Sequence, residues 1–223
     1  MPLNIAMDGP VGAGKSSVAD AAAKRLHMLH LDTGAMYRAV ALACLQQDIA
    51  TQDEAAVVAC AEAAQVDVTH EADGQHTWLN GTDVTALIRT EAVSMGASTV
   101  ALYPGVRRRM VAMQRALAAK QDMLVDGRDI CTRVLPDATV RIYLTASAES
   151  RAKRRFDQLI AKGIPAEYDT VLEDLHRRDE QDMNRATDPL RPAEGAVIVD
   201  STDLTFDETV DAIVRLAEEK RHG

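Results

Sequence analysis

Short apolar runs alternate with longer segments of helical periodicity in the first 65 residues. The apolar runs cover residues 3–7 and 28–31, and each ends at an aspartate and a turn, Asp8-Gly9 and Asp32-Thr33-Gly34. Apolar residues recur at helical spacing over 16–26, 35–47 and 52–65. Buried strands followed by amphipathic helices predict an α/β fold with a central parallel sheet.

The middle of the chain changes to an alternating apolar and polar pattern. Residues 66–69 and 76–79 follow this pattern, and the turn signals Ala72-Asp73-Gly74 and Asn80-Gly81 come after them. Such alternation is typical of hairpins with one exposed face, so we predict a small antiparallel insert. Helical periodicity then resumes over 88–119.

The second half of the chain returns to strands and helices in alternation. Further core strands are predicted over 123–125, 140–144 and 196–199, and a last helix over 206–220. A basic helix over 150–162 precedes a turn at Gly163-Ile164-Pro165. Its arginines fit either a solvated helical face or a lid that brings cations over a ligand.

Composition narrows the class of partner. The 223 residues carry a formal net charge of −9, which argues against nucleic acid polymers and anionic membranes, since both need a positive field. Three scattered cysteines form no C-x-x-C pair, so neither a zinc site nor a disulfide framework is predicted. The sequence shows no signal-peptide pattern, and no apolar run approaches the roughly 20 residues of a membrane span. We expect a cytoplasmic protein without a membrane partner.

A glycine-rich motif follows the first predicted strand. The loop Gly9-Pro10-Val11-Gly12-Ala13-Gly14-Lys15-Ser16 matches G-x-x-x-x-G-K-[ST]. Glycines let backbone N–H groups turn toward phosphate oxygens, and the following helix N-terminus adds positive potential. In such loops the lysine reaches the β- and γ-phosphates, and the serine hydroxyl is a Mg²⁺ ligand. We therefore predict a site for a nucleoside triphosphate with Mg²⁺.

The loop alone leaves three classes of protein open: a kinase for a small acceptor, a GTP-dependent switch and an ATP-driven motor. The chain has no N-K-x-D segment that would read guanine, which argues against a switch. It is also short for a motor. A small-molecule kinase fits best.

Charged residues cluster after the predicted strands, where open α/β sheets bind ligands. Five aspartates fall near such ends: Asp8, Asp32, Asp126, Asp129 and Asp200. Arg38 and Arg128 follow the second and third core strands. Because arginine forks bind phosphate oxygens bidentately, these two arginines are candidates for holding a second anion.

Two other patterns carry less weight. Asp32-Thr33-Gly34 matches the aspartic-protease tripeptide, but that chemistry needs two such carboxylates and the chain has one copy. The six histidines show no metal-ligand spacing, so we expect them to be structural or surface residues.

Residues 9–17, 31–38 and 126–129 together resemble the bacterial cytidylate kinase family. The similarity continues, in order, through further short motifs: Asn80-Gly81, Asp83-Val84-Thr85, Ile88-Arg89-Thr90, Ala97-Ser98, Val106-Arg107, Arg151-Ala152, Arg154-Arg155, Arg178-Asp179, Asp182 and Asn184-Arg185. This resemblance implies a P-loop three-layer α/β/α fold in one domain over 1–223. It implies a core over 1–35, 120–150 and 166–223, a monophosphate-binding region with the antiparallel insert over 36–119, and a helical lid over 151–165.

The resemblance also implies a reaction, in which the γ-phosphoryl group of ATP passes to CMP or dCMP and leaves ADP. Residues 9–17, ending at Ser17, would bind ATP, with Ser16 as the Mg²⁺ ligand; a monomer is expected. The implied catalytic residues are Lys15, Arg128 and Arg154, and the lid cations are Arg151, Arg154 and Arg155. For the acceptor, Arg38 and Arg128 would hold the phosphate; Thr33, Arg107, Asp129 and Arg185 the cytosine; and Ser98, Arg178 and Asp182 the sugar.

The implied chemistry is self-consistent. An acceptor phosphate with a second pKa of about 6 is mostly dianionic at neutral pH, so the reaction needs no general base. Asp129 can accept from the cytosine amino group, which uracil lacks, so UMP should be disfavoured. The chain departs from the family at Ser17, where threonine is common, and at Cys131, where glycine is usual.

Two alternatives stay open at this point. One is another P-loop kinase of a small acceptor, similar to shikimate or adenylate kinase. The other is a regulatory protein that binds nucleotide without turnover.

Overall fold

Strands and helices alternate through residues 2–221, which the computed structural model describes. The strands β1 to β8 are Asn4–Asp8, Leu29–Asp32, Val66–Glu71, Gly74–Leu79, Thr82–Asp83, Met123–Gly127, Val140–Thr145 and Val197–Asp200. The helices α1 to α8 are Lys15–Arg25, Thr33–Gln46, Glu54–Ala63, Glu91–Val100, Pro104–Ala118, Ala148–Ala161, Tyr168–Asn184 and Phe206–Arg221. A 3₁₀ turn covers Leu87–Arg89, and a π-helical turn covers Ile130–Val134.

The central sheet has five parallel strands in the order β2-β6-β1-β7-β8. Asp32 at the end of β2 is paired with Asp126 of β6, and Asp8 of β1 is paired with Gly127. All these strands therefore end at one edge of the sheet, and the loops that follow them meet there.

Apolar side chains bury the sheet on both faces. On one face Val125 of β6 packs in a cluster with Met36 of α2 and with residues of α3 to α5. On the other face Ile142 of β7 packs with Ile213 of α8 and with residues of α1. The strands are almost continuously apolar in sequence, as expected of a parallel sheet that is covered by helices on both faces. The predicted three-layer α/β/α fold is confirmed.

The antiparallel insert is confirmed as a sheet of three strands in the order β3-β4-β5. The helical patterns predicted over 88–119 correspond to the 3₁₀ turn, α4 and α5, and the sequence pattern did not locate the breaks between them. Pro104, in the first turn of α5, has no backbone N–H and favours an extended residue before it. Thr90 caps α4 by accepting from Val93 N–H. The chain must therefore bend at both positions.

The π-helical turn winds around the end of β1. The Asp8 carboxylate accepts from Ile130 N–H at 2.6 Å and from Cys131 N–H at 2.9 Å. Burial raises the pKa of Asp8 to about 6, although these backbone hydrogen bonds oppose the rise. Cys131, the departure from the family pattern, is buried and donates from Sγ toward Ala6 O at 3.4 Å. Its side chain therefore packs into the strand end.

Within residues 2–221, no helix is both long enough and apolar enough to cross a membrane.

Candidate phosphoryl-transfer site

The glycine-rich loop of residues 9–16, called the phosphate loop below, turns tightly between β1 and α1. Gly12 and Gly14 have φ values of +78° and +83°, a left-handed conformation that glycine adopts without a steric penalty. A Cβ on Gly9 would lie 2.0 Å from Leu144 O of β7, so the loop passes too close to this strand for any side chain. Gly14 is the N-cap of α1, which directs the first backbone N–H groups of that helix toward the loop.

Lys15 is buried at the first position of α1, and its Nζ donates to Pro10 O across the loop at 2.7 Å. Burial and then the nearby Arg128 charge lower the pKa of Lys15 to about 7. The ammonium thus lies in a poorly solvated position near the Arg128 charge, and a bound anion would stabilise both cations.

A hydroxyl and a carboxylate meet beside Lys15. Ser16 Oγ donates to Asp126 Oδ2 at 3.0 Å, and Asp126 is the residue of β6 that precedes Gly127. The other oxygen, Asp126 Oδ1, lies 2.7 Å from His30 Nε2. Burial opposes protonation of His30, but Asp126 outweighs this effect and the pKa of His30 is raised. A hydroxyl and a carboxylate are the hard ligands that Mg²⁺ prefers, so these residues fit the ion that accompanies ATP.

Arg38 and Asp32 form an ion pair at the end of β2. Arg38 Nη2 donates to Asp32 Oδ2 at 2.6 Å, and the Asp32 Oδ1 atom caps α2 by accepting from Ala35 N–H at 3.0 Å. Arg38 Nε is buried and has no hydrogen-bond partner among residues 2–221. An unpartnered guanidinium N–H in a buried site is costly, and a bound anion would satisfy it.

Arg128 follows the paired strand β6 and reaches toward α7. Its Nε donates to Asp182 Oδ2 at 2.7 Å. Burial opposes ionisation of Asp182, but Arg128 outweighs that effect and lowers the pKa of the carboxyl. Arg178, one turn earlier on α7, has its pKa lowered by burial and by the Arg128 charge. The structure thus brings Arg128, Arg178 and Asp182 together.

The predicted base-reading residues also come together. Asp129 is 5 % exposed, and its carboxylate accepts from Arg107 Nη2 and from Arg185 Nη2. Arg107 Nε also donates to Asp188 at 3.1 Å. Thr33 Oγ1 donates to Asp126 O at 2.7 Å, which places Thr33 beside the same strand end.

Ser98 is half-buried on α4 and faces α7. Gln181 Nε2 of α7 donates to Ser98 O at 3.1 Å, one residue before Asp182 in sequence. Ser98 therefore lies near the residues that the resemblance assigns to the sugar.

The three lid arginines have different surroundings. Arg151 is buried; its Nε donates to Ala146 O at 3.0 Å and its Nη1 to Val11 O at 2.8 Å. An ion pair of 2.7 Å also joins Arg151 to Asp179 of α7. Arg154 Nη1 donates to Ser201 Oγ at 3.1 Å, whereas Arg155 is exposed and its charge contributes to lowering the pKa of Arg178. Arg151 thus holds the phosphate loop, while Arg155 extends from the helix.

Several contacts at this edge were not singled out from the sequence. His30 was expected to be a structural or surface residue, and the structure places it against Asp126. Asp188 and Gln75 were not identified at all, although Gln75 contacts the Asp32 backbone from the insert. Only the position of Asp126 at a strand end indicated its role beforehand.

In the insert, Glu71, Asp73 and His76 bring potential metal-ligand atoms within 4.8 Å of one another. Hydrogen bonds to Asp73 and Asp83 hold the His76 ring.

Known proteins of one family are similar to this chain over nearly its whole length. The sequence model of the family described as cytidylate kinase matches residues 5–219. A cytidylate kinase of Geobacillus sp. (strain WCH70) is 46% identical over 218 residues, which cover 98% of this chain and 97% of the relative. The cytidylate kinase of Bacillus subtilis (strain 168) is 43% identical over 218 residues, with the same coverage of 98% and 97%. The shikimate kinase structure from Bacteroides thetaiotaomicron is similar in fold alone, with a TM-score of 0.50, 15% identity and coverage of 97% and 98%.

Proposed function

Because the chain belongs to the cytidylate kinase family, it is a nucleotide kinase that phosphorylates CMP and dCMP, and we propose that its donor is ATP bound with Mg²⁺ on residues 9–17. The loop geometry supports this proposal. Gly12 and Gly14 take the left-handed conformation that lets backbone N–H groups turn toward a phosphate, and Lys15 and Ser16 lie at the start of α1. Ser16 and Asp126 would hold Mg²⁺, which would supply positive charge beside the β- and γ-phosphates when bound.

The acceptor phosphate would bind between Arg38 and Arg128. These arginines follow neighbouring strands, since Asp32 and Asp126 are paired in the β2–β6 register. The observation that carries this assignment is the buried Arg38 Nε, which has no partner among the described residues. A phosphate oxygen is the acceptor that would complete its hydrogen bonding.

Cytosine recognition would centre on Asp129. Arg107 and Arg185 donate to its carboxylate and fix it in a buried position. A carboxylate accepts from the cytosine amino group, and the two arginines can donate to the ring acceptors. Thr33 would have to release Asp126 O before its hydroxyl could donate to the base. Ser98, Arg178 and Asp182 would contact the sugar, as their grouping around α7 supports.

In the transfer step an oxygen of the acceptor phosphate would attack the γ-phosphorus of ATP, and the bond to the ADP oxygen would break. The acceptor is already dianionic, so no side chain needs to remove a proton. Lys15 and Arg128 would neutralise charge on the transferring group, which is the main requirement of this chemistry.

Within the lid, Arg154 and Arg155 would move onto the donor phosphates, since neither is held by an aspartate or glutamate in the described residues. Arg154 contacts Ser201 in this structure and would have to exchange that contact for phosphate oxygens. Arg151 would act differently, by holding Val11 and Asp179 in place.

We also propose a monomer, since every residue assigned to either substrate comes from this one chain. A cytoplasmic location is supported by three free, buried cysteines. Sedimentation of the purified protein with and without substrates tests the first proposal.

One assay tests the proposed reaction against its alternatives. ADP formation is followed by coupled spectrophotometry with CMP, dCMP, UMP, AMP and shikimate as acceptors, with Mg²⁺ present or chelated. CMP and dCMP should turn over fastest, and only with the metal. Faster UMP or AMP turnover would contradict the cytosine assignment, and turnover of shikimate alone would favour the other kinase class. ATP binding without turnover of any acceptor would favour a regulatory protein.

A further inference from the structure

The small antiparallel sheet contacts the free edge of β2. This strand is at the end of the five-stranded order and has one strand neighbour, β6. On its other side His70 Nε2 of β3 lies 2.6 Å from His30 O. Gln75 of β4 accepts from Asp32 N–H at 2.7 Å and donates from Nε2 to Asp32 O at 3.3 Å. Side chains of the insert thus satisfy the backbone groups that a further strand would otherwise pair.

The residue that Gln75 holds is central to the acceptor site. Asp32 caps α2 with one carboxylate oxygen and binds Arg38 with the other. A Cβ on Gly34 would lie 3.0 Å from Asp32 Oδ1 and 3.3 Å from Arg38 Nη1, so this group is closely packed. A shift of the Asp32 backbone would therefore move the Arg38 guanidinium.

Gln75 is itself fixed within the insert. Its Nε2 lies 3.4 Å from Thr77 Oγ1, and Thr77 N–H donates to Thr85 Oγ1 at 2.9 Å. Thr77 is 1 % exposed, so the side-chain amide is held from a buried neighbour. Because the Gln75 amide is held in place and makes two hydrogen bonds to Asp32, it can fix the position of the Asp32 backbone. A flexible surface side chain could not do so.

We propose that Gln75 is a positioning residue for the acceptor phosphate: it fixes the Asp32 backbone, and through Asp32 it aims Arg38. This inference rests on the proposed function, because it takes Arg38 as the phosphate ligand. It assigns the insert an indirect part in acceptor binding, through Asp32 and Arg38.

The test compares ligands with and without the phosphate. Gln75→Met keeps the length of the side chain but removes both hydrogen bonds to Asp32. Two lost hydrogen bonds should weaken CMP binding about 5- to 20-fold, measured by calorimetry without ATP. Binding of cytidine, which has no phosphate, should change less than about 2-fold by the same reasoning. In steady state KM for CMP should rise while KM for ATP stays the same.

The matched control is His76→Gln, on the same strand but bonded to Asp73 and Asp83 of the insert. It should leave CMP binding unchanged. In an Arg38→Ala background, Gln75→Met should have no further effect on CMP affinity, because the two residues act on one contact. Thermal melting checks the fold, and Gln75→Ala, measured well below its melting temperature, repeats the test if Gln75→Met is unstable.

Equal weakening of CMP and cytidine would overturn the proposal, because it would show general loosening of the pocket. Unchanged CMP affinity, or full additivity with Arg38→Ala, would also overturn it. These outcomes differ from failure of the proposed function, in which the unmodified protein itself would neither bind nor phosphorylate CMP.

Discussion

The Ser16 hydroxyl donates to the Asp126 carboxylate at 3.0 Å, although 110 residues separate them in sequence. The parallel pairing of β1 with β6 makes this contact, because both strands end at the same edge of the sheet. His30 on β2 holds the other Asp126 oxygen. Three adjacent strand ends therefore contribute to one oxygen-rich site next to the phosphate loop.

We predict that Ser16→Ala and Asp126→Asn each weaken the use of Mg²⁺. Loss of a ligand or of its charge should raise the Mg²⁺ concentration for half-maximal activity about 10- to 100-fold. Titration of kcat with Mg²⁺ measures this, and calorimetry of Mn²⁺ binding in the presence of ADP gives a second readout. Asp157→Asn, which removes an exposed carboxylate of α6, is the control and should leave the titration unchanged. An unaltered Mg²⁺ midpoint in both variants would contradict the assignment.

We predict that ATP binding takes up a proton at Lys15. Its pKa of about 7 reflects burial and the Arg128 charge, and a triphosphate should raise that pKa by several units. At pH 8 the free lysine would be mostly neutral, so binding should take up about 0.9 proton. Calorimetry in buffers with different ionisation enthalpies measures the uptake.

Lys15→Met is the control for this proton uptake and should remove most of it.

The Lys15→Met variant also tests the sign of the pH effect on stability. Because the Lys15 pKa is lower in the folded chain than its usual 10.5, the unfolded chain binds more protons between about pH 7 and 10. The advantage in stability of Lys15→Met over the unmodified protein should therefore shrink as pH rises through this window. If ATP binding took up the same number of protons at pH 6 and at pH 8, the assignment of the uptake to Lys15 would be contradicted.

Much of the strand framework could be predicted because burial on both faces leaves a direct signal. Residues 123–125 are continuously apolar, and they fall within the buried strand β6. The break between α4 and α5 was missed because helical periodicity alone does not show where a helix ends. Pro104 was the local signal that could have located it.

The candidate site also contains residues that the sequence could identify and residues that it could not. Arg38 and Arg128 could be identified from the sequence because each closely follows a predicted strand end. Gln75 could not, because its contact with Asp32 joins two separate sheets and depends on how they pack. Arg151 was grouped with the lid cations by its position in a basic helix, but its partners Val11 and Asp179 come from distant segments.

We predict that Asp129→Asn reduces the preference for CMP over UMP. Asparagine can donate to the uracil carbonyl that replaces the cytosine amino group, whereas the carboxylate repels that carbonyl. The ratio of kcat/KM for CMP to that for UMP should fall at least about 10-fold, which corresponds to about 1.4 kcal/mol. An unchanged ratio would remove Asp129 from base recognition.

Loss of the Asp129 carboxylate should also destabilise the fold. Both Asp129→Ala and Asp129→Asn leave the buried Arg107 and Arg185 without their shared negative charge, and an asparagine amide nitrogen cannot accept from either arginine. Each variant should lose about 3 kcal/mol of unfolding free energy, which denaturant unfolding measures. If Asp129→Ala is as stable as the unmodified protein, the two arginines do not depend on this ion pair.

We predict that Gly9→Ala destabilises the fold far more than Gly163→Ala. The added Cβ at Gly9 would lie 2.0 Å from Leu144 O, and the nearest contact is backbone, which cannot rotate away as a side chain can. The strand ends of β1 and β7 would have to separate, at a cost of at least about 3 kcal/mol. Gly163 has a φ of +70° but no heavy atom within 4 Å of its Cβ position, so its substitution should cost only about 1 kcal/mol of conformational strain. Equal shifts of the melting temperature would show that conformation rather than the close approach to Leu144 requires glycine in the phosphate loop.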